Sequence, residues 1–379
     1  MIAGEPSGDV IGADLIRGLL AESKEPVEIV GIGGPLMEAA GMKVLLPMNA
    51  LAVMGLSEVI RHLPRLHKIY VGVIAEIRKF KPHAVVTVDF PDFNFLVGKA
   101  ARKMGGIKVI HYVAPTVWAW RPGRAKKVSR FLHGLICLYP FEPPYFKKHK
   151  LKAIYAGHPL VEADLANVQP ARLRQRTHIA ENTRTLGLFF GSRAHELSDL
   201  SPVLKEAALI VLEKYPDTQV IVPTLPHLEF EVRKILSDVG DSFHVVSDPV
   251  LKWDTFACCD AAIAVSGTVG LELSWLNVPH VIAYKMGAVT TAVGKMIVKT
   301  KRAHLTNIIL NEDLVPEFLH GNFKAEKIAE AVIKIYEDPA AVEKQREGFE
   351  RMRQKMTDGV DTKPSQKAAR FVLHVLGKK

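Results

Sequence analysis

The stretch AVVTVDFPDFN, residues 84–94, decides the fold class of this chain. Its first five residues form a nearly continuous apolar run, which is typical of a strand covered on both faces within a parallel sheet. Pro91 and Asp92 then precede an apolar segment that predicts a helix over Asp92–Met104. A buried strand followed at once by a helix is the repeating unit of an α/β fold.

The same alternation of strand-like and helix-like segments extends along both halves of the chain. It predicts an α/β protein built from two Rossmann-like halves with a cleft between them, in which ligands bind at the carboxyl ends of the strands. In the first half we expect strands at Glu28–Gly31, Lys43–Leu46, Ala84–Asp89, Ile107–Val113, Gly134–Tyr139 and Lys152–Ala156. In the second half we expect them at Thr185–Phe190, Gln219–Val222, Phe243–Val246, Ala261–Val265 and His280–Tyr284.

The polar, irregular stretch 160–184 interrupts this alternation. A chain of 379 residues is too long for one ordinary core, so two domains are expected. We therefore predict an N-terminal domain at 1–165, a linker at 166–184 and a C-terminal domain at 185–349.

The formal net charge of +10 indicates an anionic partner: nucleic acid, a phosphorylated metabolite or an acidic membrane surface. Composition does not choose among these, and a merely basic enzyme is an equal alternative. Three cysteines without C-x-x-C spacing predict neither disulfides nor a zinc site, which favours a cytoplasmic protein. No apolar run approaches the ~20 residues that span a bilayer, and no signal peptide is visible. Residues 1–3 resemble the end of a strand, which is expected either to begin before the given start or simply to be short.

Two carboxylates follow the strand of the opening stretch. Asp92 precedes a helical run and is the expected N-cap of that helix. Phe90 stands before a proline and is therefore biased towards an extended conformation. The helix must then begin after Phe90, so Asp89 is too early in the chain to cap it. A carboxylate at the carboxyl edge of a sheet without a capping duty is a candidate general base, so Asp89 is predicted to be catalytic.

AGEPSGD, residues 3–9, predicts a strand-to-helix turn. Gly4 and Gly8 permit tight backbone geometry, Ser7 is the expected helix cap, and the backbone N–H groups could face an anion. These roles leave the charge of Glu5 unexplained. The turn lacks the G-x-G-x-x-G fingerprint, so no nicotinamide or flavin cofactor is indicated.

Aromatic and basic residues lie together in HYVAPTVWAWRPGRAKKVSR, residues 111–130. Trp118 and Trp120 would face one side of an extended chain, and Arg121 begins a basic series. This combination suits a sugar phosphate or a nucleic acid, and core tryptophans beside a solvated helix are the alternative.

In the second half, two motifs place residues that could bind phosphate directly after a predicted strand. In LFFGSRAHE, Arg193 follows a Gly-Ser turn and can bind phosphate in a bidentate manner. In AVSGTVGLELSW, the segment Ser266, Gly267, Thr268 opens a helix whose N–H groups and dipole favour a diphosphate. Glu272, one turn later, could accept two hydrogen bonds from a ribose diol.

Taken together, the motifs resemble those of the lipid-A-disaccharide synthase family in order and over nearly the whole chain. The motifs that carry the resemblance are AGEPSGD, LAVMGLSEVI, DFPDFN, HYVAPTVWAWR, PFE, GHPL, GSR, VSGT–LE and LTNII–LVPEFL.

The resemblance implies a GT-B fold, with the C-terminal helix 350–379 returning to the N-terminal domain. It implies an inverting glycosyltransferase that joins UDP-2,3-diacylglucosamine to 2,3-diacylglucosamine 1-phosphate (lipid X), forming the lipid A disaccharide and releasing UDP. No metal or other cofactor is implied, and the sequence has no D-x-D triplet.

The resemblance also assigns roles to residues. The N-terminal domain would hold the acceptor, with Asp89 as base, Glu5 as a rival base, and acceptor contacts from Ser7, Trp118 and Arg121. The C-terminal domain would hold UDP through Arg193, Ser266, Gly267, Thr268, Glu272 and Asn307. Arg193 would also be catalytic, because it would stabilise the negative charge that develops on the β-phosphate.

The segment 51–74 mixes apolar and basic residues. Pro64 is expected to split it into two helices. Amphipathic basic helices suit membrane surfaces, so we predict peripheral binding to the cytoplasmic face of the inner membrane. The predicted membrane or acyl-chain contacts are Leu51, Met54, Arg61, Arg65 and Lys68, and the chain is expected to be a monomer or a homodimer.

Other functions are possible on sequence grounds. The nearest rival is another GT-B enzyme acting on UDP-GlcNAc, either an epimerase or a peptidoglycan glycosyltransferase. A nucleic-acid-binding protein would need a basic stripe, whereas the basic residues here are scattered through both halves, so no nucleic acid is predicted. A non-catalytic nucleotide-sugar binder is a third alternative.

Overall fold

The structure, a computed structural model, describes residues 1–51, 56–119, 121–163, 165–285 and 302–378, with the backbone alone at 56–62 and 195. Its strands are β1 Ile2–Ala3, β2 Val30–Gly33, β3 Lys43–Pro47, β4 Ala84–Val88, β5 Lys108–Tyr112, β6 Gly134–Cys137, β7 Ala153–Tyr155, β8 Thr185–Phe189, β9 Gln219–Pro223, β10 Phe243–Val246, β11 Ala261–Ala264, β12 His280–Tyr284 and β13 Glu317–Leu319.

The helices alternate with these strands. They are α1 Pro6–Glu22, α2 Pro35–Ala39, α3 Leu56–Phe80, α4 Pro91–Met104, α5 Arg124–Val128, α6 Pro143–Lys147, α7 Pro170–Thr177, α8 Ala194–Lys214, α9 Glu229–Ile235, α10 Lys252–Ala257, α11 Thr268–Trp275, α12 Leu305–Leu310, α13 Ala325–Glu337, α14 Pro339–Thr357 and α15 Pro364–Leu376. Short 3-10 turns lie at Met48–Ala50, Pro159–Glu162, Pro226–Leu228, Pro249–Leu251 and His320–Asn322.

The first compact unit comprises Met1–Glu162 and Met356–Lys379. Its sheet has the order β3-β2-β1-β4-β5-β6-β7, and the strand pairs are parallel. Val86 belongs to the core beneath α1 and α15, whereas its neighbour Val85 belongs to the core beneath α3 and α4. Both faces of β4 are therefore covered, which explains its continuous apolar run.

The last helix of the chain, α15, packs on α1 within this first unit. A Cβ atom at Gly18 would lie 2.6 Å from the carbonyl oxygen of Ser365, so the two helices approach at a glycine. Glu162 accepts hydrogen bonds from the backbone N–H and hydroxyl of Ser365, at 2.6 and 3.0 Å. These contacts hold the C-terminal segment against the N-terminal sheet.

The second compact unit comprises Ala163–Lys355. Its parallel sheet has the order β10-β9-β8-β11-β12-β13. Leu188, Ile263 and Val281 of three neighbouring strands lie in one core with residues of α8 and α13. Each unit thus has its own parallel sheet and its own core, as the alternating pattern predicts.

Three expectations about local structure are wrong. Pro64 does not divide the segment, because α3 continues from Leu56 to Phe80 with the proline inside it. The predicted linker 166–184 is not irregular, since it contains α7, whose Leu173 is fully buried. Leu51, a predicted membrane contact, is also fully buried.

The sequence also left β13 without a prediction. This strand has three residues and pairs with β12 at the edge of the second sheet.

Buried histidines connect the stability of the fold to pH. Burial lowers the pKa of His111 to about 3, and the pKa values of His158 and His280 to about 4, from an ordinary value of 6.5. These rings are neutral in the folded chain but take up protons in the unfolded chain. Their contribution to stability is therefore complete above pH 6.5 and is lost as the pH falls towards 4.

We predict that the free energy of unfolding falls between pH 6.5 and 4. A depression of about 2.5 pKa units corresponds to roughly 3 kcal/mol per ring at pH 4. Urea unfolding of His158→Gln should therefore show a fall that is shallower by about 3 kcal/mol. The matched control is His227→Gln at an exposed ring. Equal pH dependence in both variants would contradict the prediction.

Candidate active site

The first candidate surface is the carboxyl edge of the N-terminal sheet, where β1 and β4 end side by side. Ala3 pairs with Val88, so the loops that follow begin at Gly4 and Asp89 on adjacent strands. The carboxyl edge of a parallel sheet is where α/β proteins bind ligands. The motifs AGEPSGD and DFPDFN therefore meet at one place.

In the AGEPSGD turn, Glu5 rather than Ser7 occupies the N-cap of α1. Pro6 is the first helical residue, so Ser7 lies inside the first turn and the expectation that it caps the helix is wrong. Its hydroxyl instead donates a hydrogen bond to Oδ2 of Asp89 at 3.2 Å. The structure thus joins two predicted site residues.

Asp9 at the end of the same motif has a structural role. Its carboxylate is buried and accepts hydrogen bonds from the backbone N–H groups of Gly34, Leu36 and Met37, at 2.9 to 3.1 Å. These N–H groups lie at the start of α2, where a carboxylate also interacts favourably with the helix dipole. Asp9 therefore docks α2 against α1.

Asp92 does not cap α4, which corrects the expectation from sequence. The N-cap is Phe90, in a left-handed conformation without a side-chain cap, and Pro91 is the first helical residue. Asp92 lies in the first turn, its side chain is 87% exposed, and its carboxylate pairs with Arg124. The helix therefore begins two residues earlier than an N-cap at Asp92 would place it, with Pro91 at the first helical position.

Asp89 follows the last residue of β4 and also adopts a left-handed conformation, with φ 50°. Its backbone N–H donates to the carbonyl of Tyr112, which extends the β4–β5 pairing by one step. Its side chain is half-buried at the edge of the sheet. A carboxylate in this position can accept a proton from a bound hydroxyl.

Trp118 lies on the loop after β5 and is tied to a buried carboxylate. Its Nε1–H donates to Oε1 of Glu142 at 3.3 Å, and the backbone N–H groups of Leu138 and Tyr139 donate to Oε2 at 3.1 Å. Burial raises the pKa of Glu142 to about 8, against the opposing effect of these three donors. Sequence reasoning gave Glu142 no role, although it belongs to the motif PFE.

Two further residues of this motif were singled out from the sequence, Trp120 and Arg121. Arg121 is exposed and adopts a left-handed conformation with φ 50°. Trp120 lies outside the described residues.

The second candidate surface is the carboxyl edge of the C-terminal sheet. After β8, Gly191 has φ 106°, and a Cβ atom there would lie 2.4 Å from Oε2 of Glu196. That same oxygen accepts a hydrogen bond from the backbone N–H of Ser192 at 3.0 Å. Arg193, the N-cap of α8, donates to Oε1 of Glu196 at 3.3 Å and is 60% exposed. Its guanidinium is thus accessible to an anion.

After the neighbouring strand β11, Ser266 and Gly267 lead into α11, which begins at Thr268. The hydroxyl of Ser266 donates to the carbonyl of Ala303 at 3.0 Å. Gly267 and Thr268 are exposed, so the N-terminus of α11 is accessible. At the other end of α11, Arg353 donates to the carbonyls of Ser274 and Trp275.

Glu272 is held by a partner that sequence reasoning missed. Lys252, the first residue of α10, donates to Oε1 of Glu272 at 2.7 Å, and its ammonium group lies 4.5 Å from the ring centroid of Trp253. The side chain of Glu272 is 15% exposed. One carboxylate oxygen of Glu272 is thus engaged by a cation.

Asn307 is buried, and its amide bonds to its own chain. Nδ2 donates to the carbonyl of Val315 and to Oε1 of Glu317, both at 2.8 Å, while Oδ1 accepts from the N–H groups of Leu314 and Val315. Glu317 also accepts from the backbone N–H groups of Ala303 and His304. Asn307 therefore organises the segment that bonds Ser266, and its predicted contact with UDP stays a prediction.

Across the described ranges, no group of three or more His, Cys, Asp or Glu side chains could hold a metal ion. Within those ranges, no helix combines the length and the apolar character that crossing a bilayer requires.

Comparison with known proteins links both surfaces to one family. Residues 1–371 match the family described as lipid-A-disaccharide synthetase. The chain is 40% identical to a lipid-A-disaccharide synthase of Rhodospirillum centenum, covering 100% of this chain and 94% of that protein. It is 35% identical to the enzyme of the same name from Geobacter metallireducens, covering 100% and 97%.

Solved structures of low sequence identity show the fold. A UDP-GlcNAc 2-epimerase from Neisseria meningitidis, bound to UDP-GlcNAc, aligns with a TM-score of 0.66 at 13% identity, covering 100% of this chain and 98% of that one. A glycosyltransferase from Rickettsia africae aligns with a TM-score of 0.57 at 12% identity, covering 99% and 96%. The predicted GT-B fold with two parallel-sheet units is thereby confirmed.

Proposed function

The chain belongs to the lipid-A-disaccharide synthetase family and is a glycosyltransferase of lipid A biosynthesis, and we propose that Asp89 is the base of its reaction. The reaction joins UDP-2,3-diacylglucosamine to 2,3-diacylglucosamine 1-phosphate and releases UDP. The observation that carries the base assignment is the position of Asp89, at the carboxyl end of β4 with the hydroxyl of Ser7 at 3.2 Å. A half-buried carboxylate at this edge is suited to accept a hydroxyl proton.

In the proposed step, the acceptor 6-hydroxyl attacks C1 of the donor sugar. The O6–C1 bond forms as the bond from C1 to the phosphate oxygen breaks, so the anomeric centre is inverted. The proton moves to Asp89, and the electron pair leaves with UDP. Ser7, Trp118 and Arg121 are proposed to bind the acceptor, and Glu5 at the start of α1 is the rival base.

The donor is proposed to bind at the carboxyl edge of the C-terminal sheet. Negative charge develops on the β-phosphate as the bond breaks, and donors already aimed at that charge lower the barrier. The exposed guanidinium of Arg193 and the accessible N-terminus of α11 at Gly267 and Thr268 suit this role. Glu272 is proposed to hold the ribose, with Lys252 fixing one of its oxygens.

Ser266 and Asn307 are proposed to support the donor site by holding the segment that begins at residue 303. Ser266 bonds the carbonyl of Ala303, and Asn307 bonds Glu317, which holds the N–H groups of residues 303 and 304. The proposed transfer uses no metal or organic cofactor, because Arg193 and the N-terminus of α11 are proposed to stabilise the charge of the leaving phosphate.

The substrates carry acyl chains, and we propose peripheral binding to the cytoplasmic face of the inner membrane through α3. Its inner face packs on the sheet through Ile74 and Ile77, whereas Leu63 and Val71 are each 52% exposed. Arg65 and Lys68 are exposed on the same helix. The predicted contacts Met54 and Arg61 lie outside the residues whose side chains are described.

One rival has structural support. The aligned UDP-GlcNAc 2-epimerase shares the fold, and an epimerase would act on UDP-GlcNAc without acyl chains or an acceptor. At 13% identity this likeness concerns the fold alone, whereas the family match spans residues 1–371.

The proposed function is tested by measuring UDP release from purified protein. We expect release only when diacylated donor and diacylated acceptor are both present, with a disaccharide monophosphate as the second product. Release or epimerisation with UDP-GlcNAc alone would favour the epimerase. No turnover of any pair would contradict a catalytic role.

The base assignment is tested by the matched substitutions Asp89→Asn and Asp92→Asn. We expect Asp89→Asn to lower kcat by about 10²–10⁴-fold, the usual contribution of a positioned general base. Asp92→Asn should change kcat less than twofold, because that carboxylate is exposed and paired with Arg124. If Glu5→Gln abolishes turnover while Asp89→Asn does not, Glu5 is the base.

Membrane binding is tested by sedimentation with anionic and neutral vesicles at low and high salt. We expect the protein to bind anionic vesicles and to bind them less as the salt concentration rises. The reason is that salt screens the attraction between the exposed basic side chains of α3 and the anionic lipids. Leu63→Ser combined with Val71→Ser should reduce binding. Leu96→Ser, at a similarly exposed leucine of α4, is the matched control and should leave it unchanged. Binding that is indifferent to both salt and α3 would overturn the proposal.

A further inference from the structure

The turn that carries Asp89 has an unusual backbone. Asp89 and Phe90 are consecutive non-glycine residues in the left-handed region, with φ values of 50° and 44°. This conformation is strained for side-chain-bearing residues, and neither Asp nor Phe at these positions has glycine's freedom. Strained backbone persists where surrounding contacts over-determine it. The question is which contacts hold this turn.

The side-chain amide of Asn94 makes the most direct contacts with the turn. Its Nδ2 lies 2.8 Å from the carbonyl oxygen of Asp89 and 3.2 Å from that of Val88. A third carbonyl, that of Ile2 on β1, lies at the 3.5 Å limit. Asn94 is fully buried, and its Oδ1 has no hydrogen-bond partner among the described residues. The contacts of this side chain are therefore made by its NH₂ group.

One NH₂ group that bonds two successive carbonyls restricts the peptide between them. The carbonyl of Val88 ends the strand and that of Asp89 begins the turn, so bonding both fixes the direction in which the chain leaves β4. That direction sets where the Asp89 side chain emerges. The backbone N–H of Asp89 is bonded to Tyr112, so the residue is held from both sides.

The ring of Phe90 supports the same turn. It packs over Gly4, where a Cβ atom would lie 2.7 Å from the ring, and it lies 6.3 Å from the ring of Phe93. Gly4 is thus required by close approach of a side chain. The ring of Phe90 and the amide of Asn94 therefore both contact this turn.

We propose that Asn94 is a positioning residue for the transfer reaction: its amide clamps the left-handed turn and so fixes the carboxylate of Asp89 towards the acceptor hydroxyl. The proposal rests on the assignment of Asp89 as the base. Asn94 itself touches no reacting atom. Its predicted effect is on kcat, since a base displaced by about 1 Å can lose on the order of 10²-fold in rate.

The primary test is steady-state UDP release by Asn94→Ala and by the isosteric Asn94→Asp, which replaces donor atoms with acceptors. We expect kcat to fall about 10–100-fold in both variants, while the KM for acceptor and donor stays within twofold. The matched control is Thr87→Val on β4, which removes a buried hydroxyl that bonds Ile110 and His111 of the neighbouring strand β5. Thr87→Val should lose stability comparably, and keep kcat.

A double-mutant cycle separates positioning from general damage. The second variant of the cycle is Asp89→Asn, because a residue that acts through the Asp89 carboxylate matters only while that carboxylate is the base. Asn94→Ala should therefore lower kcat about 10–100-fold in the natural chain but less than twofold in the Asp89→Asn background. If Asn94→Ala does not fold, the isosteric Asn94→Asp takes its place in the cycle. An equal loss of kcat in both backgrounds would overturn the proposal.

The possible failures are distinguishable. If Asp89→Asn remains active, the base assignment is wrong and the proposed role of Asn94 falls with it. If Asp89→Asn is inactive while folded Asn94→Ala keeps normal kcat, the base stands and the positioning role is overturned. Equal kcat losses in Asn94→Ala and Thr87→Val would also overturn it, because the effect would then follow stability.

Discussion

The left-handed pair Asp89–Phe90 is the constraint on which the N-terminal site depends. A non-glycine residue in this region costs roughly 1–2 kcal/mol, and here two occur in succession. An extended chain would carry Asp89 onward along the strand, and a helical chain would place it in the first turn of α4. The strained pair does neither, and it leaves Asp89 at the edge of the sheet beside Ser7. The ring of Phe90 over Gly4 and the amide of Asn94 stabilise this exception.

In the C-terminal unit, the proposed donor site is held by hydrogen bonds from charged side chains to the backbone. Its edge strand β13 supplies Glu317, whose carboxylate accepts N–H donors from Ala303, His304 and Asn307. The segment held in this way gives a carbonyl to Ser266 at the start of α11, and Arg353 bonds the carbonyls at the end of the same helix. The helix that presents its N-terminus is therefore fixed at both ends. At this edge, the charged side chains of Glu317 and Arg353 hold backbone groups in place.

The strands were predictable from sequence because parallel strands buried on both faces give apolar runs that few other elements share. Helix starts were harder, since a proline at the first helical position displaces the expected cap, as at Ser7 and Asp92. Pro64 misled because its helix tolerates the missing N–H. The helix α7 was missed because one buried leucine, Leu173, anchors an otherwise polar segment. Asn94 and Glu317 gave no signal, since their roles depend on carbonyls and N–H groups that meet only after folding.

The acidic residues near the N-terminal edge show how folding decides which carboxylate is left for chemistry. Asp9 accepts three backbone N–H groups, and Glu142 accepts two such groups and the indole of Trp118. Asp92 is neutralised by Arg124. Within the described part of the chain, the carboxylate of Asp89 has a single hydrogen-bond partner, the hydroxyl of Ser7. A hydrogen bond from one hydroxyl binds a carboxylate less strongly than a cation or several backbone amides do. A carboxylate that retains free lone pairs at a strand end can accept a hydrogen bond from a bound hydroxyl, whereas one whose lone pairs are filled by N–H donors cannot. The carboxylates near this edge thus have the same intrinsic chemistry but different hydrogen-bond partners. Those partners give Asp9, Glu142 and Asp92 structural roles and leave Asp89 available for the proposed reaction.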